Sequence, residues 1–107
     1  MEGQVADKIR NFTDLIVWQK SHQLTLAIYK LTKTFPQEER YGITSQMRRA
    51  VVSISANIAE GFEKRTNKDK VNFYNIAQGS LAELKYFLLV TRDFGHLNSA
   101  RSERAFF

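Results

Sequence analysis

The sequence predicts an all-α protein: an up-and-down antiparallel helical bundle of three long helices plus a short or truncated fourth. Three observations lead there. Apolar residues recur at three- and four-residue spacings through three long stretches, the period of a helix with one buried face. One proline and five glycines among 107 residues argue against a β-rich or disordered chain. With 43% apolar and 25% charged residues the composition is that of an ordinary globular domain, and the length allows one domain with a single modest core.

Residues 1–11 show no periodicity and read as a loose N-terminal arm. Thr13 or Asp14 can cap a first helix over about 14–34, with Leu15, Trp18, Leu24, Ile28, Leu31 and Phe35 supplying its apolar faces. Pro36 ends it, because the residue before a proline avoids helical dihedrals. After the charged linker PQEERYG a second helix runs over about 43–63, and after a turn at Lys64 to Asn67 a third runs over about 68–94. The third is predicted to bury Phe73, Ile76, Ala77, Ser80, Leu84, Phe87, Leu88 and Thr91, with Gly95 as its C-cap. Asn98 or Ser99 can open a fourth helix in 98–107, about 15 Å long against about 30 Å for its neighbours. Such a stub covers no full groove, so either the native fourth helix is cut short or another copy of the chain completes the bundle.

The second helix is the most informative. Ile43, Met47, Ala50, Ile54, Ile58 and Phe62 fall on one face, whereas Gln46, Arg49, Ser53, Asn57 and Glu60 line up on another. Two helices of this length joined by a short turn pack antiparallel. With the turn near residues 65–68, that register sets Ser53 against Ser80 and Gly79, and Arg49 level with Glu83. Gln46, Arg49, Ser53, Asn57, Glu60 and Glu83 are therefore expected to form a structural polar network, within one chain or across an oligomer contact, since buried polar groups need partners.

Sixteen Lys and Arg against eleven Asp and Glu give a net charge of +5, a field that favours polyanions. Lys64, Arg65, Lys68 and Lys70 gather at the turn after the second helix, with Arg48 on the side of that helix away from the core. They are the candidates for contact with RNA or DNA phosphates; the competing reading is a solvated turn in which Lys64 pairs with Glu60. Trp18 and Tyr29 read as packing or interface anchors, and Phe106 and Phe107 as candidates for burial against a neighbouring subunit.

Enzymatic chemistry finds little support. The absence of cysteine excludes disulfides, thiolate metal sites and cysteine nucleophiles, and fits a reducing compartment. Neither His22 nor His96 stands at the Glu-x-x-His spacing that bundles use for metals, so no metal or other cofactor is expected. The N-terminus has no signal-like core and no apolar run suits a membrane span, which predicts a cytoplasmic chain. The enzyme alternative is a helical-bundle ribonuclease using Arg92 and His96, although some such enzymes space the pair by four to six residues and only three intervene here.

Four blocks carry a resemblance: FTDLIVWQK, YKLTKTFPQEERYG, QMRRAVVSISANIAEG and FYNIAQGSLAEL. They resemble the four-helix-bundle proteins first noticed as open reading frames in intervening sequences of bacterial 23S ribosomal RNA genes, to which the accessory variability determinants of diversity-generating retroelements are similar. The resemblance covers roughly 12–97. It implies an up-and-down bundle that assembles as a homopentameric ring, with no established enzymatic activity, and, for the retroelement relatives, a basic surface that contacts nucleic acid. Where the family often reads Ser-Ile-Pro-Ser-Asn, this chain has Ser53-Ile54-Ser55-Ala56-Asn57, which predicts a straighter second helix. The combined expectation is a non-enzymatic, self-assembling helical-bundle protein, an oligomeric scaffold or accessory factor with a basic surface for RNA or DNA.

Overall fold

The computed structural model describes residues 9–97. Three α-helices hold the fold: α1 (Ile16–Thr32), α2 (Ile43–Glu63) and α3 (Asn67–Asp93), with short 3-10 turns at Phe12–Asp14 and Gln37–Glu39. No strand occurs among the described residues, so the chain is all-α as predicted. The expected fourth-helix stub, Phe106 and Phe107 lie outside the described residues, as does most of the N-terminal arm.

Helix boundaries follow local chemistry. The first α-helix starts later than predicted: Asn11 caps a 3-10 turn over Phe12–Asp14, and α1 begins only after Leu15, which is extended and makes no side-chain cap bond. The Asn11 side chain accepts from the Thr13 N–H at 2.8 Å, while the Asp14 carboxylate accepts from the N–H groups of Arg10 at 2.9 Å and Asn11 at 3.2 Å. Those two backbone bonds, Arg10 first, hold the Asp14 carboxyl below its usual range. A 3-10 turn forms first and α1 follows. At its far end the chain winds down through Thr34 and Phe35 before Pro36.

Both ends of α3 are set by specific bonds. Thr66 Oγ1 accepts from the Asp69 N–H at 3.1 Å and fixes the start. At the finish Gly95 adopts φ +93°, and the N–H groups of Gly95 and His96 bond to the carbonyls of Arg92 and Thr91. This paired pattern is a Schellman motif, which requires a left-handed residue that glycine enters without Cβ strain.

Helix α2 is central. It packs along both α1 and α3, which make little direct contact with each other. Burial is greatest where the end of α1, the start of α2 and the end of α3 converge: Ile28, Met47, Ala50, Val51 and Thr91 have no exposed surface and Leu84 only 1%. Phe35, Leu88 and Leu97 close this end of the core. The opposite end is more open. Ile54 and Ile58 of α2 lie at the floor of a groove of about 520 Å³, flanked by Leu15 and Val17 of α1 and by Tyr74 and Leu81 of α3. Ile76, predicted to be buried, is 46% exposed because it sits beyond the strip of α3 that faces α2.

Small hydroxyls set the two seams. Ser53 and Ser80 are 2.8 Å apart between α2 and α3, as the register predicts. Gly79 does not share the seam: the space where its Cβ would stand is open. On the other side Ser55 bonds Ser21 of α1 at 2.8 Å, so the serine that replaces the family's proline makes an interhelix bond as well as keeping its backbone N–H.

Because Gly79 lies inside an exposed stretch of α3, Gly79→Ala is expected to stabilise the fold by about 0.5–1 kcal/mol through helix propensity alone. Thermal unfolding followed by circular dichroism should show a midpoint raised by a few degrees.

Candidate functional site

The polar stripe of α2 forms a ladder within the chain. Gln46 Oε1 accepts from Arg49 Nε at 3.1 Å, and Arg49 Nη2 reaches Glu83 Oε2 at 2.7 Å, the predicted interhelix pair. One turn on, Ser53 meets Ser80, and Asn57 Nδ2 donates to the Ser53 carbonyl at 2.8 Å and to Ser53 Oγ at 3.1 Å. Glu60 does not belong to it. Its side chain is exposed and makes no hydrogen bond or ion pair among the described residues. The half-exposed Arg49–Glu83 pair contributes no more than about 1 kcal/mol, since water screens it. The Ser53–Ser80 contact is partly buried and specifies register more firmly.

The predicted basic cluster divides. Arg48 faces α1 rather than solvent: Nε donates to Thr32 Oγ1 at 2.9 Å and the guanidinium lies 4.7 Å over the Tyr29 ring. It stands at the other end of α2 from the basic turn. Lys70 Nζ bonds the carbonyls of Phe62 at 2.8 Å and Gly61 at 3.3 Å, capping the negative end of α2. Lys64 lies 4.9 Å over the Phe73 ring instead of pairing with Glu60, its extended backbone outside the helix having carried it off the i, i+4 face. Arg65 and Lys68 alone of the set are exposed, with no hydrogen bond or ion pair among the described residues.

Arg92 and His96 are engaged separately. Arg92 Nε pairs with the adjacent Asp93 at 3.1 Å. His96 Nε2 meets Glu39 Oε2 at 2.9 Å, and its ring packs against Phe35 and Phe94 at 5.5 Å each. This histidine thus ties the end of α3 to the linker before α2. No group of three or more His, Cys, Asp or Glu suited to a metal ion occurs among the described residues.

A second basic site, at the start of α2, was missed by the sequence reading. Arg40 and Tyr41 of the linker, Thr44 and Ser45 in the first turn, and Arg48 and Arg49 one turn further line a pocket of about 660 Å³ that also touches Tyr29. Gly42 is the N-cap, so no side chain caps the helix, and no acid occupies the first turn. The run RYGITS carried that signal: a glycine in the capping position, followed by no carboxylate.

Fold and surface together define a small basic all-α protein built on a central helix with two flanking helices. No described helix is long and apolar enough to cross a membrane. The chain belongs to the 23S rRNA-intervening sequence protein family, whose profile matches residues 13–106, in agreement with the resemblance of the four sequence blocks. A comparison with curated proteins gives no match.

The seam can be tested by a double-mutant cycle. Ser53→Ala leaves the Ser80 hydroxyl, in a residue only 8% exposed, without its partner, and should cost about 1–2 kcal/mol in urea unfolding. Adding Ser80→Ala should cost less than the sum of the single effects. Arg49→Ala should cost less than about 1 kcal/mol.

Proposed function

We propose that this protein is a non-enzymatic, self-assembling scaffold or accessory factor of the cytoplasm, built as a homo-oligomer, with a pentamer the family expectation, and presenting basic groups to RNA or DNA. One observation carries the reading: the groove over Ile54 and Ile58. Its walls include Val17 at 58% exposure and Tyr74 at 37%, and Ile16, Val71 and Ile76 add exposed apolar surface near the same end. Contiguous apolar surface beside a packed core marks an interaction face more often than a solvated one. A second copy of the chain is the natural occupant, because a helix pair of this sequence offers the complementary apolar stripe.

The basic surface supports the second half. Arg65 and Lys68 stand exposed at the α2–α3 turn with no hydrogen bond or ion pair among the described residues, and the net charge is +5. Exposed cations of this kind bind phosphates with little discrimination between sequences.

Light scattering at micromolar concentration should give a mass several times 12.4 kDa. Val17→Glu, at an exposed rim of the groove, should lower that mass while preserving helicity; a monomer for the unmodified chain overturns the assembly. Binding to RNA or DNA should weaken steeply with salt, and reversing both Arg65 and Lys68 should reduce the slope of log affinity against log salt by about two. Absence of binding at low salt overturns the nucleic-acid half.

A further inference from the structure

We propose that the outward face of α2 is a two-fold contact with a second copy of the chain, in which the two α2 helices pack antiparallel about Ala56 and Arg49 of each copy meets Glu63 of the partner subunit. The inference rests on the self-association proposed above but uses a surface separate from the groove over Ile54 and Ile58.

Three sides of α2 are occupied or accounted for. Ser55 faces α1 through Ser21, Ser53 faces α3 through Ser80, and Ile54 and Ile58 form the groove floor. By helical periodicity Ser45, Val52, Ala56 and Glu63 fall on the fourth side, opposite Ile54. All four are exposed, Val52 to 43%. Beside them α1 raises an aromatic wall. Trp18 and His22 are stacked 5.0 Å apart, within 8° of parallel, and with Val52, Ala56 and Ala59 they border a hollow of about 270 Å³. A face with Val52 and Ala56 at its centre and aromatic rings at its edge has the composition of a contact rather than of a solvated surface.

The charges of α2 identify the occupant. Its 21 residues carry four charges, Arg48 and Arg49 in the first half and Glu60 and Glu63 in the last turn. That order opposes the helix's own dipole, which favours acids at the start and bases at the end. Lys70 answers the last carbonyls, but neither Glu60 nor Glu63 makes a hydrogen bond or ion pair among the described residues. An antiparallel copy of the same helix reverses the disadvantage, since it sets acid beside base at each end and opposes the two dipoles. Parallel pairing would bring like charges together.

The register follows from the spacing. Arg49 and Glu63 each lie seven residues from Ala56, about two turns, so a two-fold axis at Ala56 makes them level. Glu63 is exposed and Arg49 half exposed, its Nη2 held by Glu83 at 2.7 Å. The same axis brings Val52 of the partner subunit level with Glu60, next to the hollow over Ala56 and Ala59. The neighbouring basic side chains do not occupy this segment: Lys64 and Lys70 lie over Phe73 and Phe62, and Arg65 and Lys68 come after Glu63. Being isologous, the contact closes on two copies or couples two assemblies built through the groove.

The chain has no cysteine, so Ala56→Cys places a single thiol at the axis. Under mild oxidation it should form a disulfide-linked dimer faster than Ala82→Cys, an exposed site on α3; an equal rate overturns the axis. In sedimentation equilibrium, Glu63→Arg should weaken self-association at least about tenfold, because symmetry repeats the like-charge contact. Glu38→Arg, the same charge change in the linker, should not. Arg49→Glu should weaken association as Glu63→Arg does, and an equimolar mixture of the two variants should restore it, each offering the charge the other lacks. Within one chain the two residues are about 21 Å apart along α2, so no internal contact can produce that rescue. A loss in Glu63→Arg no greater than in Glu38→Arg, or no recovery on mixing variants that circular dichroism shows to be folded, overturns the contact. An assembly lowered in mass by Val17→Glu and unmoved by Glu63→Arg removes this face and leaves the groove; a dimer with the opposite responses removes the groove and leaves this face.

Discussion

The structure depends on α2 serving two neighbours that scarcely touch each other. Full burial of a residue such as Ile28, Met47, Val51 or Leu84 stabilises by about 1.5–3 kcal/mol, whereas each hydroxyl pair adds about 1 kcal/mol net. Apolar contact therefore drives the association. It is not directional, however, and would tolerate a neighbour slipped by a turn. The Ser53–Ser80 and Ser21–Ser55 contacts remove that freedom, since sliding either flanking helix would strand a partly buried hydroxyl.

Packing of this kind leaves the two ends of the molecule unequal. At the linker end all three helices converge, and the His96–Glu39 contact adds a bond between segments far apart in sequence. At the turn end a groove between α1 and α3 exposes Val17 and Tyr74 beside Ile54 and Ile58. Local opening is easiest where apolar contacts are few. The turn end is thus both the less stable end and the one with apolar surface to offer.

Much of this was readable from spacing. The limits of α2, the burial of Met47, Ala50, Ile54 and Ile58, the glycine cap of α3 and the Arg49–Glu83 pairing all follow from a 3.6-residue period and one antiparallel turn. The errors share a cause. Arg48, Lys64 and Lys70 were read as surface charges, whereas each lays its stem or cation on an aromatic ring: Tyr29, Phe73 and Phe62. Periodicity assigns a residue to a face but not the reach of a long side chain, which can cross to a neighbouring helix. Gly79 was misplaced for the reverse reason: a small residue next to a seam is not necessarily in it. The pocket at Arg40 and Tyr41 was overlooked because its residues come from a linker and a helix start, where no period operates.

The two ends of α2 also differ electrically. Lys70 answers the carbonyls at the negative end, so that end is satisfied within the chain. The positive end has Glu39 nearby, with one oxygen held by His96, while three arginines add to the same potential. Thr32 orients Arg48 there, and Gln46 and Glu83 orient Arg49. Arg65 and Lys68 lack such supports among the described residues. Arg48 and Arg49 at the start of α2 are thus held by neighbouring side chains, whereas Arg65 and Lys68 beyond its end make no hydrogen bond or ion pair among the described residues.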